Sequence, residues 1–228
     1  EIKECDWSSD VCSSDLKPLP SRAGETMELS AKAAEILAAL EARDPAPVLA
    51  PSATWGQEAF DDLAACADAD VLAEAPINVG MARAVRSGLL LWNDSLDLAH
   101  TLAMSDGEAD ELTGQTLDYW HGIMHRREPD YPNASYWFRR VGQHPAFDAV
   151  LQGAKDATAR SCAPKDDEAR AFVEAAAEWD AFAFIALCEK YETATGVTNR
   201  LLRAIQVAEI RVLLDFSVAH AASAVGEG

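Results

Sequence analysis

The sequence is short of cysteine, of positive charge and of long apolar runs, and each shortage closes off a class of protein. Five cysteines occur in 228 residues, and no two form a CxxC pair. Neither a thiolate zinc site nor a disulfide framework is therefore indicated. Nineteen Lys and Arg stand against 38 Asp and Glu, a formal net charge of −19. That balance repels phosphate backbones and anionic lipid, so nucleic acid and membranes are not expected partners. No apolar run approaches the roughly 18 residues that a bilayer span needs. Glycine-rich phosphate loops and a nucleophile elbow are also missing. Reduced thiols and the lack of a span together suggest a cytoplasmic setting.

The leading residues are read apart from the rest. Asp6 to Leu16, DWSSDVCSSDL, has no apolar periodicity and no turn logic. It resembles translated sequencing-adaptor DNA, so residues 1–26 are expected to be an artefactual or disordered leader. Deleting Glu1 to Leu16 is then expected to leave stability unchanged. The remaining 27–228 is long enough for one domain with its own core.

Across that domain the apolar residues recur at helical spacing, and strand-like alternation is absent. Helices are expected over Glu28–Arg43, Thr54–Cys66, Pro76–Trp92, Leu96–Ala103, Asp110–Arg127, Asn133–Val141 and Pro145–Ala159. Thr54 and Gln57 have capping-box spacing, and Gly142 sits where a left-handed helix cap belongs. Two long helices, Asp167–Thr193 and Thr198–Ala222, are expected to close the chain as an antiparallel pair joined at Gly196. The fold class is all-α.

One stretch differs from this acidic, alanine-rich background. Asp118 to Pro145 reads DYWHGIMHRREPDYPNASYWFRRVGQHP and holds three of the five histidines and three of the four tyrosines. Its centre can be laid over an earlier segment at an offset of 35 residues, Ala99 on Ala134. Gly122 lies 12 residues before Ala134, Phe138 four after and Val141 seven after, with Pro145 near the end. This pattern resembles a tetratricopeptide repeat, with Ser87 and Ala103 replacing the glycine and the aromatic in the first copy. The resemblance implies two antiparallel helical hairpins. They close together where Gly122 and Ala134 lack bulk, and Phe138 fills the gap. The wording WH-x3-HRREPDY-x-NA-x-YWFRRVG-x-HP also resembles a bacterial family of uncharacterised helical proteins, which implies no activity.

Two constellations in the stretch carry chemistry. His121 and His125 are four apart on a helix, so both imidazoles share one face at a spacing that suits a shared metal ion. His100, on the preceding hairpin, is the candidate third ligand; Asp94, Asp118 and Glu128 are alternatives. No glutamate follows His121 as in the HExxH metalloprotease motif. The plainer alternative is a pair of half-buried core histidines bonded to Asp118 or Asp130. The second constellation is a basic group, Arg126, Arg127, Arg139 and Arg140, flanked by Tyr131, Tyr136 and Trp137. Guanidinium forks suit carboxylate or phosphate, and the rings offer stacking surface. Internal pairing with Glu128, Asp130 and Asp118 is the alternative there.

Two functions follow from these readings. In the first, the 118–144 surface binds a protein partner or a small anionic ligand through Arg126, Arg127, Tyr131, Trp137, Arg139 and Arg140. In the second, a divalent transition metal on His100, His121 and His125 makes the chain a hydrolase or lyase. Arg127 or Arg140 then holds an anionic substrate.

Overall fold

In the computed structural model, residues 27–104 and 110–222 are described. The expectation for 1–26 lies outside the described residues. Within them, regular structure is helical apart from one isolated antiparallel bridge between Leu29 and Leu72. The helices are α1 (Ala31–Glu41), α2 (Gln57–Ala65), α3 (Val79–Trp92), α4 (Leu96–Ala103) and α5 (Glu111–Arg127), followed by α6 (Tyr131–Val141), α7 (Phe147–Arg160), α8 (Glu168–Ala175), α9 (Ala181–Tyr191) and α10 (Val197–Ala221), with a 3-10 turn at Asp68–Val71. None is long and apolar enough to cross a membrane.

Polar side chains set most of the helix starts. Ser30, Asn78, Asp110, Asp130, Asp167 and Asp180 each accept a hydrogen bond from a backbone N–H in the first turn they precede. Such a cap satisfies donors that the helix itself leaves free. Pro132 lies in the first turn of α6, where its missing N–H costs nothing. Gly142 ends α6 at φ +62° and ψ −126°, a positive-φ conformation open to glycine but not the left-handed helical cap expected there.

α3 and α4 form one hairpin, and α5 and α6 form a second. A Cβ at Gly122 would lie 2.8 Å from the Phe138 ring, so α5 and α6 touch through that glycine. Ala134 is fully buried at the same crossing. Ser87 occupies the corresponding place on α3 and donates its hydroxyl to the Ala99 carbonyl at 3.1 Å. Gly88 presses still closer to another element: a Cβ there would lie 2.6 Å from Trp120 of α5. The sequence reading did not single out this second close approach. α10 packs against both α3 and α7, and its apolar face joins theirs in one buried cluster that runs through the described chain.

Several boundaries differ from expectation, three of them with a visible cause. The segment expected as one long helix, Asp167–Thr193, is two, because the chain turns extended at Ala176 and restarts under the Asp180 cap. On α9 the buried positions are Ala181, Phe184, Ile185, Leu187 and Cys188, while Phe182 is exposed. Trp179, in the break, is buried against Phe172 and Phe184. Further upstream, α2 starts after Gly56, not at Thr54, because the Gly56 N–H is held by the side chain of Asn93. α3 begins at Val79 under the Asn78 cap rather than at Pro76.

Candidate metal centre

His121 and His125 project from one face of α5 and stack, ring centroids 4.9 Å apart. The fourth residue of a helix returns to the azimuth of the first, so this pairing is local in origin. His100 reaches them from α4, with its ring 4.6 Å from His121 and 5.2 Å from His125, edge-on to both. Each of the three rings offers one nitrogen within 4.8 Å of the other two. Tetrahedral coordination at about 2.0–2.1 Å per bond asks for nitrogens roughly 3.4 Å apart. Binding an ion would therefore draw the rings inward by about an ångström.

His121 is the least satisfied of the three. It is 1 % exposed, and neither ring nitrogen has a hydrogen-bond partner among the described residues. A buried polar group left in that condition costs about 1–3 kcal/mol. Burial, with His100, His125 and Arg140 nearby, pushes its pKa down to about 3. The ring is thus neutral, the form a metal takes. Burial also lowers the pKa of His125, against the opposing pull of Glu128.

His125 is held by two further side chains. Its Nδ1 lies 3.1 Å from Glu128 Oε2, so that nitrogen carries the proton and donates to the carboxylate. Its Nε2 is then an acceptor, and the Asn133 amide Nδ2 stands 3.0 Å from it. A metal on Nε2 would displace that amide, while the Glu128 contact would stay as the ring's orienting partner. The wall beside His121 is Trp137 of α6, stacked on the imidazole with centroids 3.7 Å apart.

Two of the alternative carboxylate ligands are occupied elsewhere. Asp94 takes Arg43 Nη2 at 2.6 Å and also Arg127. Asp118 accepts Arg140 Nε at 3.0 Å. Glu128, the third, contacts His125. Asp130, expected as a core partner of the histidines, caps α6.

The basic group does not assemble into one surface. Arg126 is buried, donates to the equally buried Glu209 of α10 and stacks over Phe184 at 4.6 Å. Arg127 is buried too, and donates to Asp94 and to the Leu91 carbonyl. Ligand binding by Arg126 and Arg127, and anion capture by Arg127, are corrected on this ground. One nitrogen of Arg126 and both terminal nitrogens of Arg127 donate to internal partners 33 or more residues away in sequence, and burial closes both side chains to an exposed ligand. Tyr131 is also turned inward and donates to Glu192 Oε2 at 2.9 Å. Burial, with the Glu192 carboxylate beside it, raises its pKa well above the usual tyrosine range. Arg139 is exposed on α6, and Arg140 is half-exposed with its guanidinium 5.0 Å from the Trp137 ring.

Sequence reasoning missed Asn133 and Glu209. Asn133 sits two residues into α6 and gave no signal beyond its polarity. Glu209 did give one, a carboxylate within the apolar stripe of α10, where Tyr119 also donates to it at 3.0 Å. Cys66 and Cys188 are free.

Comparison with protein-family models, with curated proteins and with solved structures finds no match to this chain.

Proposed function

We propose that the protein binds one divalent transition metal through His100, His121 and His125 and acts as a metal-dependent hydrolase or lyase. One observation carries the reading: His121 is buried with both ring nitrogens unpartnered, beside two other imidazoles. A core histidine without a ligand role is expected to have at least one hydrogen-bond partner, as His144 does from Thr116 and Ala146. Three nitrogen donors and no carboxylate favour zinc, nickel, cobalt or copper over magnesium or calcium. Three protein ligands leave a fourth position for water, which such an ion acidifies towards neutral pH. Glu128 orients His125, Trp137 fixes the His121 ring and shields it from solvent, and half-buried His100 faces the accessible side. The alternative, a surface that binds a partner or anion with four arginines, loses support because two of them are buried and paired.

Elemental analysis of untagged protein tests the reading. After loading with Zn2+ and dialysis into metal-free buffer, the native chain should keep one ion. His121→Ala, checked for folding by circular dichroism, should keep none. The loaded native protein should hydrolyse members of an activated ester and phosphoester panel, and chelator should stop it. Metal retained by His121→Ala, or none retained by the native chain, overturns the proposal.

A further inference from the structure

We infer that Arg140 is the oxyanion-binding residue beside this centre, so the substrate carries a carboxylate or phosphate group. The inference rests on the metal reading above. It follows from an ordered run of side chains across two helices. His121 stacks on Trp137 at 3.7 Å, Arg140 lies over the same indole at 5.0 Å, and Asp118 receives Arg140 Nε at 3.0 Å. Asp118 and His121 are three apart on α5, and Trp137 and Arg140 are three apart on α6. Each pair therefore projects from one side of its helix.

This arrangement holds the guanidinium in place without consuming it. Trp137 supports its plane, Asp118 takes Nε, and Tyr136 stands alongside. The Arg140 side chain is nevertheless 48 % exposed. Its terminal nitrogens have the fork geometry that matches two oxygens of a carboxylate or phosphate. A fork already oriented loses little rotamer freedom when an anion arrives. Arg126 and Arg127 lack this access. With a dication on the histidines, the metal and Arg140 would balance the neighbouring carboxylates of Asp118, Glu128 and Asp130 in a chain of net charge −19.

The test is a titration of Co2+-loaded full-length protein with inorganic phosphate and, separately, with acetate. Cobalt's visible absorption and calorimetry supply the readouts. At least one anion should bind and perturb the spectrum, and the tighter of the two names the oxyanion class. Arg140→Gln should keep stoichiometric Co2+ yet bind that anion about ten- to a hundredfold more weakly. Arg140→Lys, which keeps charge but not the fork, should fall between. Arg160→Gln, an exposed arginine elsewhere, should match the native protein. Unchanged anion affinity in both Arg140 variants, or no anion binding to the cobalt form, overturns the inference and leaves the metal reading standing. Failure of the native chain to hold Co2+ removes the metal reading instead. Arg140-dependent phosphate binding without metal would then preserve the anion site alone.

Discussion

Glu128 lies at the C-terminal end of α5, half-exposed, and accepts the Nδ1 proton of His125 at 3.1 Å. The contact fixes which ring nitrogen keeps a lone pair and makes that nitrogen more basic. Glu128→Gln preserves the size of the side chain but removes its charge. Competition titration against a Zn2+ chelator dye should show affinity reduced about 10–100-fold, the usual cost of losing such a partner. An unchanged dissociation constant would mean that Glu128 is only a surface neighbour. His144 shows what an imidazole built for structure looks like. It accepts the Ala146 N–H on Nδ1 at 3.1 Å, meets Thr116 Oγ1 through Nε2 at 3.1 Å, and packs against Phe216. Both of its nitrogens are used, whereas neither nitrogen of His121 is.

At the scale of the helix, α5 carries two glycines with opposite duties. Gly122 lies against the Phe138 ring, where a Cβ would sit at 2.8 Å, while a Cβ at Gly114 would meet nothing within 4 Å. Gly122→Leu should therefore destabilise by at least the ~1–3 kcal/mol typical of overpacking. Gly114→Ala should stabilise by about 0.5–1 kcal/mol, since glycine is a poor helix former and the site is open. Urea unfolding of the two variants reads both signs in one helix. A Gly122→Leu midpoint equal to that of the native protein would show that α5 and α6 do not cross at this residue. The same crossing carries Trp137 to His121, so Gly122→Leu should weaken metal binding as well as stability. Helix α9 opens under the Asp180 cap, and its buried Phe184 lies beneath Arg126 while Phe182 is exposed.

Across the whole molecule, the buried ionisable groups couple stability to pH. His144 is 4 % exposed, and burial, with His220 nearby, pushes its pKa down to about 4 from an ordinary 6.5. Folding thus favours the neutral ring, and the unfolded chain binds more protons than the folded one. Its contribution is complete above pH 6.5, declines as pH falls, and is lost near pH 4. A displacement of that size corresponds to about 3 kcal/mol. Urea melts of metal-free protein at pH 7 and pH 4.5 should show a larger loss for the native chain than for His144→Gln. Equal losses would place the acid sensitivity elsewhere. The interior charges Arg126 and Glu209, and Arg127 and Asp94, are paired with side-chain exposures of 0–2 %. Each pair ties α5 to a distant element, α10 in one case and the α3–α4 turn in the other, where Asp94 adopts a positive φ of 62°.

The sequence by itself determined what is local. Apolar spacing gave the helices, Gly122 and Phe138 gave the close crossing, and the four-residue interval put His121 and His125 on one side of α5. These follow from the helical repeat, which acts over a turn or two of chain. Tertiary structure alone decided the rest. It brought His100 within 4.8 Å of the other two ring nitrogens. It also divided four adjacent-looking arginines into two buried structural ions and two at the surface. A run of bases does not reveal which of them will meet a carboxylate 33 or 83 residues away. That outcome rests on which helices pack together, because a charge removed from water requires a partner wherever the fold supplies one.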